Sequence, residues 1–216
     1  MIVHALPQKI LGLVFDIDLT LYDSRSYYDN QKTVQIERLA ARTGKTSKAA
    51  TMEVDEYQEN FASSNAGRKP SLGNTFAALG ISIQQSITWR EELLTPEAFL
   101  SSDADLATAL QKLRDHFRLI AVTNNPASIG RKTLACLGVS PFFDQVIGLD
   151  TSGVSKPHEK PFQLAGRELS LPLKNLVSIG DRFAVDLEIP LKLGMGAILV
   201  ESVEDVYTLP NTLLSG

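Results

Sequence analysis

The feature that most constrains this chain is a rhythm in its second half. Compact apolar runs containing β-branched residues recur at LIAVT (119–123), QVIGL (145–149), LVSIG (176–180) and AILV (197–200). Segments of helical pattern separate them: Ala127 to Leu137, about His158 to Leu169, and about Ala184 to Leu193. A further helix, Asp105 to His116, precedes LIAVT, with Leu106, Leu110 and Leu113 at helical spacing. Runs that are apolar throughout, alternating with amphipathic helices, predict a parallel sheet covered on both faces. With Ile10 to Phe15 as another strand, the expected class is α/β: a doubly wound, Rossmann-like parallel-sheet core.

Residues 22–97 break the rhythm. They hold polar segments rich in Ala, Glu and Gln at 29–43 and 47–62, a Gly/Pro/Ser-rich joint at 65–74, and shorter helical stretches near 74–79 and 83–93. No strand pattern stands out, and Thr95-Pro96 reads as a return hinge. The expected organisation is therefore a core of residues 1–21 and 98–216, with a helical domain, 22–97, inserted after the first strand.

Bulk properties narrow the function. A length of 216 residues with 44% hydrophobic content supports a packed core, and the net charge of −4 has no long basic run to set against it. Nucleic acid would have to bind against the overall field, so no nucleic-acid partner is expected. Ile10 to Phe15 is too short to span a bilayer and ends in acids, and no long apolar leader precedes it; a soluble cytoplasmic protein is expected, with no membrane partner. The single cysteine, Cys136, reads as a small buried helix residue. His4, His116 and His158 lack metal-ligand spacing.

In an open α/β sheet, ligands bind beyond the carboxyl ends of the strands. Asp16 and Asp18 follow the first strand, where buried charge is expensive. Thr123, Asn124 and Asn125 close LIAVT. Gly180 and Asp181 follow LVSI, with Asp186 five residues on, and Lys156 lies in SKPHEKPF between the third and fourth runs. Carboxylates, a hydroxyl, amides and an ammonium thus converge on one edge. Each has an ordinary reading too: Asp16, Asp18 or Asp181 in a turn, Asp186 at a helix N-terminus, Asn124 or Asn125 as a cap, Lys156 or Arg182 in solvent.

The order and spacing of DIDLT, TNN, SKP and GDRFAVD resemble the four motifs of the haloacid dehalogenase (HAD) superfamily. Four short patterns in order, each at the right end of an apolar run, say far more than any one of them. A helical insertion after the first motif resembles that family's type 1 cap, which would close over substrate. Among capped members the chain is similar to phosphoglycolate phosphatase-like and pyrimidine 5′-nucleotidase-like hydrolases. The resemblance implies a Mg²⁺-dependent phosphatase acting on a small phosphorylated metabolite. Asp16 would be nucleophile and metal ligand, and Asp18 the acid–base, with its main-chain carbonyl on the metal. Asp181 would be a metal ligand, and Asp186 would reach the metal through water or orient its ligands. Thr123 and Asn124 would hold phosphate, and Lys156 would offset the charge of phosphate and Asp16 together.

Asp18 argues against a dehalogenase, a branch that lacks this second acid and needs no metal. A phosphomutase or phosphonatase on the same core remains an alternative, as does a non-catalytic phosphate-binding protein. A monomer is the default, with a dimer left open. Trp89, Phe61, Phe76 and Leu79 are expected in the cap core. Tyr22, Arg25, Tyr27 and Tyr28, just past DIDLT, read as hinge packing or substrate contacts, and Arg68 and Lys69 as a solvated loop.

Overall fold

A computed structural model describes residues 1–65 and 67–214. The chain forms two compact units, one of Met1–Arg25 joined to Pro96–Gly216, the other of Ser26–Thr95.

The first unit is built on a six-stranded sheet. In chain order its strands are β1 (Ile2–Ala5), β2 (Gly12–Phe15), β3 (Arg118–Val122), β4 (Gln145–Ile147), β5 (Leu176–Gly180) and β6 (Gly196–Leu199). Spatially they run β1-β6-β5-β2-β3-β4. β2 through β6 are mutually parallel, as their continuous burial predicts, and β1 adds antiparallel to β6. The β1 strand is not anticipated by the sequence pattern. Ile2 and Val3 are exposed, so the strand has no buried face to give it a periodic signature.

The chain leaves β2 on one side to build β3 and β4, then crosses back to build β5 and β6 on the other. The switch therefore falls at β2, and Phe15 lies level with Ala121 of β3 and Ile179 of β5. That registration sets Asp16 between the ends of both neighbouring strands. Val14, Ile120, Val122, Ile147 and Leu176 pack on one side against Phe162, Ala165 and Leu169 of α8 (Lys160–Leu169). Leu13, Phe15, Leu119, Ala121, Val177 and Ile179 alternate with them and are equally buried. Helices α5 (Ala104–Arg114) and α10 (Val203–Leu213) pack against each other. Cys136 ends α6 (Ala127–Cys136) half-buried rather than buried, and desolvation pushes its thiol up, away from the reactive thiolate.

The second unit is helical, as its composition predicts. After α1 (Arg25–Thr43) come α2 (Ser47–Ser64), α3 (Leu72–Ala78) and α4 (Ile83–Leu93). Thr46, Ser71 and Ser82 cap the last three, each side chain accepting a backbone N–H three residues on. Its core gathers Ile36, Leu39, Ala50, Val54, Phe76 and Trp89, with Leu79 partly buried against it. Phe61 departs from expectation. It lies one turn from the C-terminal end of α2, 37% exposed, with the Tyr57 ring 6.4 Å away. No helix among the described residues is long and apolar enough to cross a membrane.

Candidate active site

The site begins where β2 runs out of apolar residues. Asp16 continues the strand, its N–H donating to Ile179 O, so its carboxylate is buried at the sheet edge with the strand. The Lys156 ammonium lies between two carboxylates, donating to Asp16 Oδ1 and Asp186 Oδ1, each at 2.7 Å. All three side chains are at most 2% exposed. Isolated, any one of these charges would be costly here; together they compensate.

Lys156 reaches this place because its main chain is held. Its N–H donates to Asn124 Oδ1 at 2.7 Å, and Asn124 Nδ2 donates to Lys156 O at 3.3 Å. The Lys156–Pro157 peptide is cis. Asn124, expected on phosphate, thus has its carboxamide committed to the lysine's backbone.

Asp186 depends on a local irregularity. Residues 184–193 read as one α-helix, but the structure has a π-helical turn at Phe183–Leu187 before α9 (Glu188–Lys192). Pro190, four residues past Asp186, has no N–H to give the Asp186 carbonyl, and Ser178 Oγ supplies the missing donor at 2.7 Å. The wider turn brings Asp186 back against β5. A Cβ on Gly180 would stand 2.5 Å from Asp186 Cβ, so only glycine admits this approach. The Arg182 N–H donates to Asp186 Oδ2 at 3.1 Å, leaving both oxygens of Asp186 engaged. Such π-turns occur often at functional sites.

Asp16, Asp181 and Asp186 each offer an oxygen within 4.8 Å of the others. Asp16 Oδ2 and Asp181 Oδ1 are buried without a hydrogen-bond partner. Three carboxylates therefore face one buried ammonium, with Arg182, 42% exposed, at 3.9 Å from Asp16 Oδ2 and 3.5 Å from Asp181 Oδ1. The surplus negative charge is visible in the proton affinities. Burial, then the Asp16 charge, push Asp181 up to about 7. The same two causes raise Asp186, although Lys156 opposes them. Burial alone would lower the Lys156 amine, but the Asp16 and Asp186 carboxylates outweigh it and hold it above the ordinary lysine range. A pocket short of positive charge, with two hard oxygens that accept no hydrogen bond, suits a hard divalent cation with bonds of about 2 Å.

Asp18 stands slightly further out. Its Oδ1 accepts from the Tyr22 hydroxyl at 2.6 Å, and its Oδ2 from Asn125 Nδ2 at 3.1 Å and Thr123 Oγ1 at 3.3 Å. Thr123 is thus beside Asp18 at the end of β3, and its Oγ1 also accepts the Asn125 N–H. The Thr123–Ala127 corner is braced from α7 (Leu149–Ser152), just past β4. Asp150 Oδ1 accepts the Ala127 N–H at 2.8 Å, capping α6, and Leu149 N donates to Asn125 O. Asn125 stands within TNN and Tyr22 just past DIDLT, but nothing in the sequence names either as a partner of Asp18, and Asp150 lies outside every motif. Tyr22 carries one signal, its place four residues past Asp18; Asp150 carries none, because its partner is 23 residues away.

The haloacid dehalogenase-like hydrolase family matches residues 10–194, most of the chain, with every residue of this cluster inside the match. The chain belongs to that family. It is an enzyme of the hydrolase class, as DIDLT, TNN, SKP and GDRFAVD together imply. It is 25% identical to glyceraldehyde 3-phosphate phosphatase of Methanopyrus kandleri, over 88% of this chain and 84% of that one. It is 28% identical to phosphoglycolate phosphatase of Colwellia psychrerythraea, over 78% and 75%. Among solved folds, the HAD phosphatase of Thermococcus onnurineus superposes with a TM-score of 0.63 at 22% identity, covering 94% of this chain and 98% of the other. A 2-haloacid dehalogenase from Pseudomonas syringae pv. Tomato shares the fold at 0.59 and 20% identity, over 95% and 99%. The fold thus spans both chemistries, and the choice between them rests on the side chains.

Proposed function

We propose that this protein is a Mg²⁺-dependent phosphatase that hydrolyses a small phosphate monoester through an aspartyl-phosphate on Asp16. The observation that carries the reading is the pairing of two acids in different settings. Asp16 is buried on Lys156 with Oδ2 accepting no hydrogen bond, while Asp18, two residues on, is half-buried and hydrogen-bonded as a separate carboxylate. Dehalogenation has no use for the second acid; phosphate-ester hydrolysis needs it to protonate a leaving alkoxide.

Asp16 Oδ2, Asp181 Oδ1 and the main-chain carbonyl of Asp18 would hold the cation, and Asp186 would orient the set through Lys156 and the Arg182 N–H. The ion would supply the positive charge that lets an anionic ester approach an anionic nucleophile. The Asp16 carboxylate attacks phosphorus, and the bond to the leaving oxygen breaks with its electron pair going to that oxygen. Asp18 gives that oxygen a proton, then takes one from the water that cleaves the aspartyl-phosphate. Lys156 stays on Asp16 and offsets charge on the transferring phosphoryl group. Thr123 Oγ1 contacts phosphate oxygens. Asn124 serves indirectly, by holding Lys156.

The relatives named for glyceraldehyde 3-phosphate and phosphoglycolate point to a substrate of comparable size. We take the protein to act alone, as a cytoplasmic monomer, on such a metabolite, with residues 22–97 as its cap. Purified protein with Mg²⁺, screened against a panel of phosphate esters, should release phosphate from the small members. Silence across the panel would overturn the reading.

A further inference from the structure

In that reading the proton transfers fall to Asp18, and the structure shows what holds its carboxylate. The Tyr22 hydroxyl donates to Asp18 Oδ1 at 2.6 Å. The turn between them makes it possible. Thr20 N and Leu21 N both donate to Ile17 O, and Leu19 adopts φ +60. The chain reverses within these residues and brings the phenol back to the acid four positions earlier. A leucine held in the left-handed region is strained, so a competing demand must impose this turn. Tyr22 is only 3% exposed, and burying a hydroxyl is unfavourable unless it is hydrogen-bonded. Asn125 and Thr123 hold the other oxygen from β3, so the carboxylate is gripped from two separate elements.

We propose that Tyr22 is a positioning residue for the acid–base Asp18. Its hydroxyl fixes the carboxylate's orientation and stabilises the negative charge left when Asp18 gives its proton away. This rests on the phosphatase reading. In the step concerned, Asp16 bonds to phosphorus, the phosphorus–oxygen bond of the ester breaks, and the leaving oxygen keeps the electron pair and receives the Asp18 proton. Tyr22 touches neither phosphorus nor the leaving group; it acts through Asp18.

The test exploits how much each leaving group needs that proton. Nitrophenolate leaves without one; an alkoxide does not. The ratio kcat/KM reports only formation of the aspartyl-phosphate, so the two esters can be compared for Tyr22→Phe, which keeps the ring and its packing. We expect kcat/KM for an alkyl ester such as phosphoglycolate to fall about tenfold, with p-nitrophenyl phosphate changed by less than about twofold. Equal losses on both esters, or no loss on either, would overturn the assignment. Should Y22F fail to fold, Tyr22→Leu puts the same question with the same two outcomes. Wild-type protein inactive on both esters would instead overturn the phosphatase reading, and this proposal with it.

Discussion

Asp16 and Lys156 are bonded to each other in the same buried cluster, yet removing their charges should have opposite effects on the fold. The pocket already holds three carboxylates against one buried ammonium. Neutralising Asp16 relieves part of that surplus; neutralising Lys156 strands Asp16 and Asp186 without their cation. Asp16→Asn should therefore lower kcat by at least about a thousandfold while the melting temperature holds or rises. Lys156→Met should lose activity and also about 3–5 kcal/mol of stability, the cost of leaving buried charge unpaired. Phosphate-release assays and chemical denaturation of the two variants separate these outcomes. A strongly destabilised D16N would mean that the cluster is balanced rather than negative in excess.

At the scale of elements, the site is assembled from strand ends and helix beginnings that brace one another. Asp150 is exposed, lies outside the four motifs, and caps α6 from 23 residues away. Its removal frees the Ala127 N–H and loosens the corner that carries Thr123 and Asn125. Asp150→Ala should cost about 1 kcal/mol of stability and raise KM for the phosphate ester, leaving kcat less affected. The π-turn before α9 follows the same logic. Pro190 withdraws a donor, Ser178 replaces it, and Gly180 leaves room, so three residues on two elements decide where Asp186 points. None of these pairings shows as a periodicity, and the residues 184–193 therefore read as a plain helix.

For the whole molecule, the acidic cluster should link stability to pH and, on the proposed reading, to metal. Asp181 has a folded-state proton affinity raised from 3.8 to about 7. A carboxyl shifted that way holds its proton in the folded state after the unfolded chain has released it. Its contribution to stability is full below about pH 4 and is lost as pH climbs through 7. In a chelator, melting temperature should show this declining component between pH 4 and 7. Mg²⁺ should replace the proton, so its stabilising effect should be larger at pH 8 than at pH 5.5. Melts at both pH values, with and without Mg²⁺, check both statements; a Mg²⁺ effect independent of pH would refute the link.

What was readable from the chain and what was not divides along sequence distance. Continuous apolar runs report burial on both faces, so the parallel core at β2 to β6 was legible, as were the three motifs at strand ends, the lysine motif between β4 and β5, and the helical content of residues 26–95. These signals repeat locally, within a turn or a strand. The edge strand β1 was not legible because it is exposed and has no period. Nor were the Thr123 and Asn125 contacts to Asp18, the Asn124 grip on Lys156, or the Asp150 cap, since each joins groups far apart in sequence that only the folded sheet brings together. Composition and spacing name the acids and the lysine. Which oxygen stays unpaired, and so where a cation or phosphorus can bind, is decided by burial and hydrogen-bond competition in the folded chain.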